Sequence, residues 1–423
     1  ILSLLLSLVC TSIESVRMAS ARTQILNGMD IGLYSVFGQY DKKLLEEYDL
    51  FALDGSMGGG QIKLAKVCDN LESYMKPVLK QNSQNLKLKQ SGLTGYRLLT
   101  DDNGEVFYQQ IVQYMQETLG SQGVQILLNK MSDRKRKTEE ADLKASQAES
   151  GGSIDRYDAE IDQASQKSQQ AAEEAEQNEQ EQNQQEQVNN PITVIKRIMK
   201  MGILELVLPS GRGLSTREID RSMLVSGRKL QQGMAMPDGV TEENSYTSNV
   251  LYQQYLMNHL GNYISPAEEG LAYPMEYIYA GKISDLDNLK SVASKLLFIR
   301  EGVNFAGLMA DNVKRSEAQA LATAIAAGFL VPPAAVVIET TLLLCWAFAE
   351  SVLDVRELLA GGRIPLVKTS ADWQISLSNL GNLMEGLDSM RRNNDHGVSY
   401  EDYLQILLLS VAKEKKVVRG MDM

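Results

Sequence analysis

ILSLLLSLVCTSI, Ile1 to Ile13, is the stretch on which the architecture turns. It carries no charged side chain and consists mostly of Leu, Ile and Val. As a helix it rises about 20 Å, short of the about 30 Å hydrocarbon core that takes about 20 residues to cross. It therefore reads as part of an anchor or assembly helix whose apolar run begins upstream of Ile1. A cleavable signal peptide competes with this, but no cleavage site is visible and the run passes smoothly into a helical pattern. A plain amphipathic core helix with a hydrophobic start is the other alternative.

Glu14 and Arg17 come next, one turn apart and placed for an interfacial ion pair. Ile25, Met29, Leu33 and Phe37 recur every four residues, marking one helical face. Ala19, Ala21, Gly28 and Gly32 form a small-residue face on which another element can pack closely. No proline occurs before Pro77, so the pattern predicts one helix over residues 1–40, about 60 Å long. The candidate anchor and assembly residues are Ile1, Leu2, Leu4, Leu5, Leu6, Leu8, Val9, Ile13, Glu14, Arg17, Gly28 and Gly32.

The remainder is long enough for two or three domains. Hydrophobic residues make up 43% of the 423 and charged residues 23%, ordinary for a chain with a buried core. A net charge of −12, with no basic stripe interleaved with aromatics, argues against nucleic acid as a partner. Cys10, Cys68 and Cys345 lie far apart, which excludes a disulfide framework or a cysteine zinc site. His259 and His396 are the only histidines, leaving little material for His-based metal ligation or Ser–His and Cys–His chemistry.

Strand expectations fall on Tyr48–Leu53 (YDLFAL), on a hairpin with arms Tyr96–Leu99 and Glu105–Tyr108 turning at Asn103-Gly104, on Met275–Gly281 (MEYIYAG), and on WQISLSNL from Trp373. Capping-box patterns mark helix starts at Ser215 with Glu218, Ser284 with Asp287 and Ser399 with Asp402. From Met131 to Asn190 the chain turns polar: DRKRK (Asp133–Lys137) leads into a Gln/Glu-rich run whose only aromatic is Tyr157. This reads as an exposed insertion, of solvated helices or disorder. The apolar stretch Ala318–Ala349, broken at Pro332-Pro333, reads as a buried helical hairpin in preference to a membrane hairpin. Glu339 within it is placed to pair with a core cation such as an Arg, and Asp354, Arg356 and Glu357 return the chain to water. The expected fold is thus α+β and helix-rich, a long hydrophobic N-terminal helix leading into a mixed α/β head. Its divisions are an anchor helix at 1–40, a first part of the head at 41–130, the insertion at 131–190 and a second part of the head at 191–423.

No motif reaches catalytic strength, and no cofactor or metal is expected. Gly58, Gly59 and Gly60 lack the spacing of a phosphate loop. Asp54 and Ser56 beside them have no histidine nearby, so a carboxylate-dependent secreted hydrolase is the weaker alternative. The acid pairs Asp101-Asp102, Glu242-Glu243 and Glu268-Glu269 read as solvent-facing turns. NNDHG (Asn393–Gly397) lacks the ligand spacing of a calcium loop.

SIESVRMASARTQ, YDKKLLEEYDLFALDG, LLLCWAFAESVLDVRELLAGGRIPLVK, WQISL and SYEDYLQILLL in this order resemble an uncharacterised family of exported proteins of Gram-positive anaerobes, encoded with Tad-type (tight-adherence) or type IV pilus-like loci. The apolar run resembles the N-terminal helix of TadE/TadG-like pseudopilins, although the chain is larger than a pilin and shows no prepilin cleavage site. The resemblance implies further apolar residues upstream, export, and retention at the membrane or in a filament. It brings no catalytic residue with it. The function expected is that of a structural, non-enzymatic surface protein, a pilin-like subunit or pilus-associated component. Its implied partners are further copies of itself, the membrane and other Tad-like pilus components. A single-copy membrane-anchored adhesin is the alternative.

Overall fold

A computed structural model describes residues 1–80, 86–149, 190–209, 211–234, 245–328, 334–387 and 396–423. Residues 150–189 of the polar insertion (Tyr157 included), Pro332-Pro333, Glu242-Glu243 and Asn393 to Asp395 lie outside them. The chain divides into two compact units, residues 1–118 with 229–243, and residues 119–228 with 244–423.

The first unit opens with α1 (Leu2–Phe37), followed by α2 (Lys42–Tyr48), α3 (Leu64–Lys80) and the start of α4 (Asp101–Glu149). The face of α1 that packs on α3 is the glycine face. Gly28 meets Leu79, and Gly32 meets Leu71 and Met75; Val36, Leu71, Met75 and Leu79 form the buried cluster beneath them. Of the apolar residues recurring every four positions, Ile25, Met29 and Phe37 point outward at 43–47% exposure, whereas Leu33 is half-buried and packs against that cluster. Backbone proximity explains the choice, since a helix without Cβ atoms at 28 and 32 lets α3 approach more closely than a Leu/Ile ridge allows. A Cβ built at Gly32 would stand 2.8 Å from Leu71 Cδ1 and 2.9 Å from Met75 Cγ, whereas one at Gly28 meets Leu79 Cδ2 at 3.4 Å. We expect Gly32→Leu to destabilise the first unit by about 1–3 kcal/mol. Gly28→Ala should be near neutral, because its better helix propensity offsets the contact. Chemical denaturation of the two variants, compared with the parent chain, tests the contrast.

The second unit is built around α11 (Ala335–Leu359), in which every residue from Thr341 to Leu359 is buried. Around it pack α9 (Asp285–Ala310), α10 (Asn312–Gly328), α5 (Pro191–Met199) and α6 (Ile203–Val207). Next to these lie α7 (Tyr246–His259), α8 (Pro274–Ala280), the short α12 (Leu383–Gly386), α13 (Tyr400–Leu409) and α14 (Lys413–Asp422). α11 is long and apolar enough to cross a membrane, yet 78% of its most apolar window is buried inside the unit. Packing against α9 and α10 accounts for its hydropathy. Glu339 lies 3.8 Å from Arg315 of α10. Asp354, Arg356 and Glu357 do not return the chain to water: all three are buried, at 0%, 9% and 3% exposure.

The α+β expectation and its mixed α/β head are overturned. Among the described residues there is no strand, and pairing is limited to isolated bridges such as Tyr40 with Leu53 and Ile364 with Val398. Each predicted strand fails for a local reason. Tyr48 ends α2, and the rest of YDLFAL is an irregular return held by Asp41 N donating to Ala52 O at 2.9 Å. Met275–Gly281 is α8, opened by Pro274 at its first turn and closed by Gly281 at φ 68°. Asn103 and Gly104 do take the positive φ of a tight turn, but that turn starts α4, and Phe107, Tyr108, Ile111, Val112 and Met115 bury at helical spacing. WQISLSNL runs into a 3-10 turn at Leu377–Asn382. Ser284 and Ser399 cap α9 and α13, whereas Ser215 opens no helix and donates to Asp285. Past Lys130, α4 continues to Glu149.

Candidate functional site, an exposed apolar helix and a buried ionic cluster

The predicted apolar anchor residues sit at the start of α1, where none of the described residues covers them. Leu2, Leu4, Leu5, Leu6, Leu8, Val9 and Ile13 are 51–83% exposed, and Ile1 is almost fully so. Of the most apolar window of α1, none is buried. Thr11 and Ser12 turn their hydroxyls back onto the carbonyls of Ser7 and Leu8, at 3.0 and 2.8 Å, so neither needs water. Glu14 and Arg17 are exposed beyond the apolar run. Gly28 and Gly32 do not belong with this group, because α3 of the same chain occupies them.

The groups with catalytic potential are tied into structure. The Asp54 carboxylate accepts from Ser56 N, Ser56 Oγ and Gly58 N at 2.6–2.8 Å. The Ser56 hydroxyl first, then the two backbone N–H groups, hold it below the usual carboxylate range. That is a turn organiser. His259 stacks on Tyr255 at 4.1 Å and shares a contact with its carbonyl, and His396 is exposed. Cys345 is buried, and burial pushes its thiol up to about 12. Among the described residues no group of three His, Cys, Asp or Glu side chains is placed to hold a metal.

Sequence reasoning missed the charged centre of the second unit. Arg300 of α9 and Asp354 of α11 are both fully buried and meet through Nε and Nη2 on Asp354 Oδ2, each at 2.9 Å. Arg300 Nη1 also donates to Leu366 O at 2.8 Å and to Tyr403 OH at 3.2 Å. Lys368 completes the group, lying against Glu350 and 2.6 Å from Asp354 Oδ1. Glu350 in turn accepts from the N–H groups of Gln374 and Ile375, both at 3.0 Å. Two cations thus face two carboxylates, and they pin the 364–376 segment to α9 and α11. Burial opposes ionisation of Asp354, but Arg300 and Lys368 outweigh it and hold the carboxyl below its usual range. Only spatial proximity discloses this cluster, since its members span 69 residues of chain, from Arg300 to Lys368.

A second buried acid is Glu276 of α8. Its Oε1 accepts from Tyr263 N at 2.8 Å and from Tyr400 OH at 2.6 Å, while Oε2 has no partner. Burial pushes its pKa up to about 7 against the pull of those hydrogen bonds.

These features define a helical protein with a closed polar core and a bare apolar N-terminal helix long and apolar enough to cross a membrane. Residues 181–423, more than half of the chain, match the family described as Family of unknown function (DUF5702), and the chain belongs to that family. No curated protein and no solved structure matches it.

Proposed function

We propose that this chain is a non-enzymatic cell-surface protein, held by the apolar half of α1 in a membrane or among like helices. The exposure of Leu2 to Ile13 carries the reading, because nothing among the described residues shields them from water. Each Leu taken out of water contributes about 1.5–3 kcal/mol, so the cluster is ample to hold the chain at an apolar surface.

One observation favours assembly through the helix, the pilin-like or pilus-associated reading, over a single-copy anchor. Ile25, Leu26, Met29 and Phe37 continue the uncovered apolar surface at 43–52% exposure. At 36 residues, α1 is about 54 Å long against about 30 Å of hydrocarbon. A bilayer that covers Leu2 leaves Met29 to Phe37 for another helix. Export and retention in a Tad-like filament fit the resemblance of the apolar run to pseudopilins.

The test is deletion of residues 1–13. The full chain should need detergent and should float with lipid vesicles, while the truncated chain should remain folded and soluble. A truncated chain that stays with membranes or filaments would refute the anchor. Electron microscopy of the full-length material separates filaments from single particles.

A further inference from the structure

A cavity of about 440 Å³ lies in the second unit, between α8, α14 and the turns at residues 219–227. Small-molecule sites commonly enclose about 300–1,000 Å³ behind mostly apolar walls. Here Ile219, Leu224, Ile283 and Val418 supply the apolar wall. Ile219 packs on Leu224, Leu271 and Tyr277, and its N–H donates to Ile283 O at 3.1 Å, so that wall is fixed in place. Arg221, Lys282 and Lys415 bring positive charge to the cavity in a chain whose net charge is −12. All three are exposed, and none makes an ion pair among the described residues. Of the two acids in the wall, Asp422 is engaged, accepting from Ser226 N, Ser226 Oγ and Tyr277 OH, each at 2.8 Å. Only Glu414 is left to oppose the cations.

Arg419 of α14 is the half-buried cation of this wall. Its Nη1 donates to Ile278 O and Tyr279 O at the end of α8, at 2.7 and 2.8 Å. Those bonds fix the guanidinium plane and leave Nε and Nη2 without a hydrogen-bond partner among the described residues. A Cβ built at Gly281, another wall residue, would stand 2.5 Å from Cζ and 2.7 Å from Nε. Those near-equal distances place it over the face of the guanidinium, so the glycine backbone covers the face and not the Nε–Nη2 edge. Burial lowers the Arg419 pKa against the opposing pull of Tyr277 and Asp422. The guanidinium is thus a positioned cation whose charge is incompletely balanced.

We propose that this cavity binds a small amphipathic carboxylic acid, with its carboxylate on the Nε–Nη2 edge of Arg419 and its hydrocarbon body against Ile219, Leu224, Ile283 and Val418. The guanidinium edge presents two parallel N–H donors, which match the two oxygens of a carboxylate. A single negative charge suits a wall in which one cation is half-buried. The exposed Arg221, Lys282 and Lys415 draw the anion in from solvent, an attraction that salt screens. The apolar wall favours an acid with a hydrocarbon body over a wholly hydrophilic one. All of these residues belong to the second unit, so the site is independent of how α1 is anchored.

The test uses the full chain in phosphatidylcholine nanodiscs, with empty nanodiscs as the reference. Calorimetric titration with octanoate should show one site per chain, and octanoate should raise the thermal midpoint. Acetate, which lacks the body, and octyltrimethylammonium, which lacks the carboxylate, should each bind at least about 10-fold more weakly. Ile283 is 40% exposed, so its side chain can be changed without opening the core. Ile283→Glu should weaken octanoate binding by about 10- to 100-fold, because a like charge then faces the carboxylate. Ile283→Leu should stay within about twofold. Arg419→Lys keeps the charge but loses the fork, and should cost about 10-fold. Should that variant fail to fold, Ile283→Glu decides alone. Octyltrimethylammonium binding as tightly as octanoate, or octanoate binding that Ile283→Glu leaves unchanged, would overturn the proposal. So would binding of a peptide with a C-terminal leucine in the absence of any octanoate binding.

Discussion

Replacing Asp354 with Asn should destabilise the second unit by about 3–5 kcal/mol, the cost of breaking a buried ion pair by removing one partner. Arg300 and Lys368 would then share the interior with Glu350 alone, leaving one positive charge uncompensated where side-chain exposure is 0–3%. Asp354 Oδ2 also takes the Asn304 amide at 2.9 Å, so the substitution disturbs a hydrogen-bond network as well as a charge balance. The double variant Arg300→Met with Asp354→Leu removes charge of both signs and should cost less than the sum of its single changes. Urea unfolding of the two singles and the double measures the coupling. Additive losses would show that Arg300 and Asp354 do not stabilise each other.

The second large effect concerns pH. The Glu276 carboxyl is pushed from 4.5 up to about 7, chiefly by burial. The folded state therefore holds its proton more tightly than the unfolded chain does. The resulting stability is fully present below about pH 4.5 and is lost as pH rises through about 7. That displacement corresponds to about 3 kcal/mol. Tyr263, Tyr400 and Asp285 surround the group, and Asp285 adds to the upward push. Glu276→Gln keeps the shape, still accepts from Tyr263 N and Tyr400 OH, and never ionises. Relative to the parent, the variant should gain about 2–3 kcal/mol at pH 8 and change little at pH 5. Denaturant midpoints taken across this range for both chains decide it. Parallel curves would mean that Glu276 ionises without cost.

The helical framework was readable where periodicity and caps agree. α1 ends at Phe37, close to where the run of apolar spacings stops, and the serines at 284 and 399 cap helices as their Ser–x–x–Asp spacing predicts. The strand assignments failed where a short aromatic run was weighed above its flanks. In PMEYIYAG, the proline at 274 and the glycine at 281 are helix-boundary signals, and they outrank the β preference of Tyr and Ile. The face of α1 that α3 occupies was legible as well, since Gly28 and Gly32 mark a surface that another element can approach closely; which element fills it was not, because Leu71, Met75 and Leu79 lie much further along the chain. The bare apolar start was legible because absence of charge is local information. The Arg300–Asp354–Lys368 cluster was not, since it gathers residues from separate helices and a loop.

The glycine seam between α1 and α3 also bears on how the protein would carry load. A pull along the axis of α1 meets Leu79 at Gly28, and Leu71 and Met75 at Gly32, as contacts side by side along two helices. Such a junction is strained in shear, with its contacts sharing the force together, unlike a junction peeled open from one end. In the tether proposed above, tension on the exposed apolar turns of α1 would pass to α3 without first unravelling the connection.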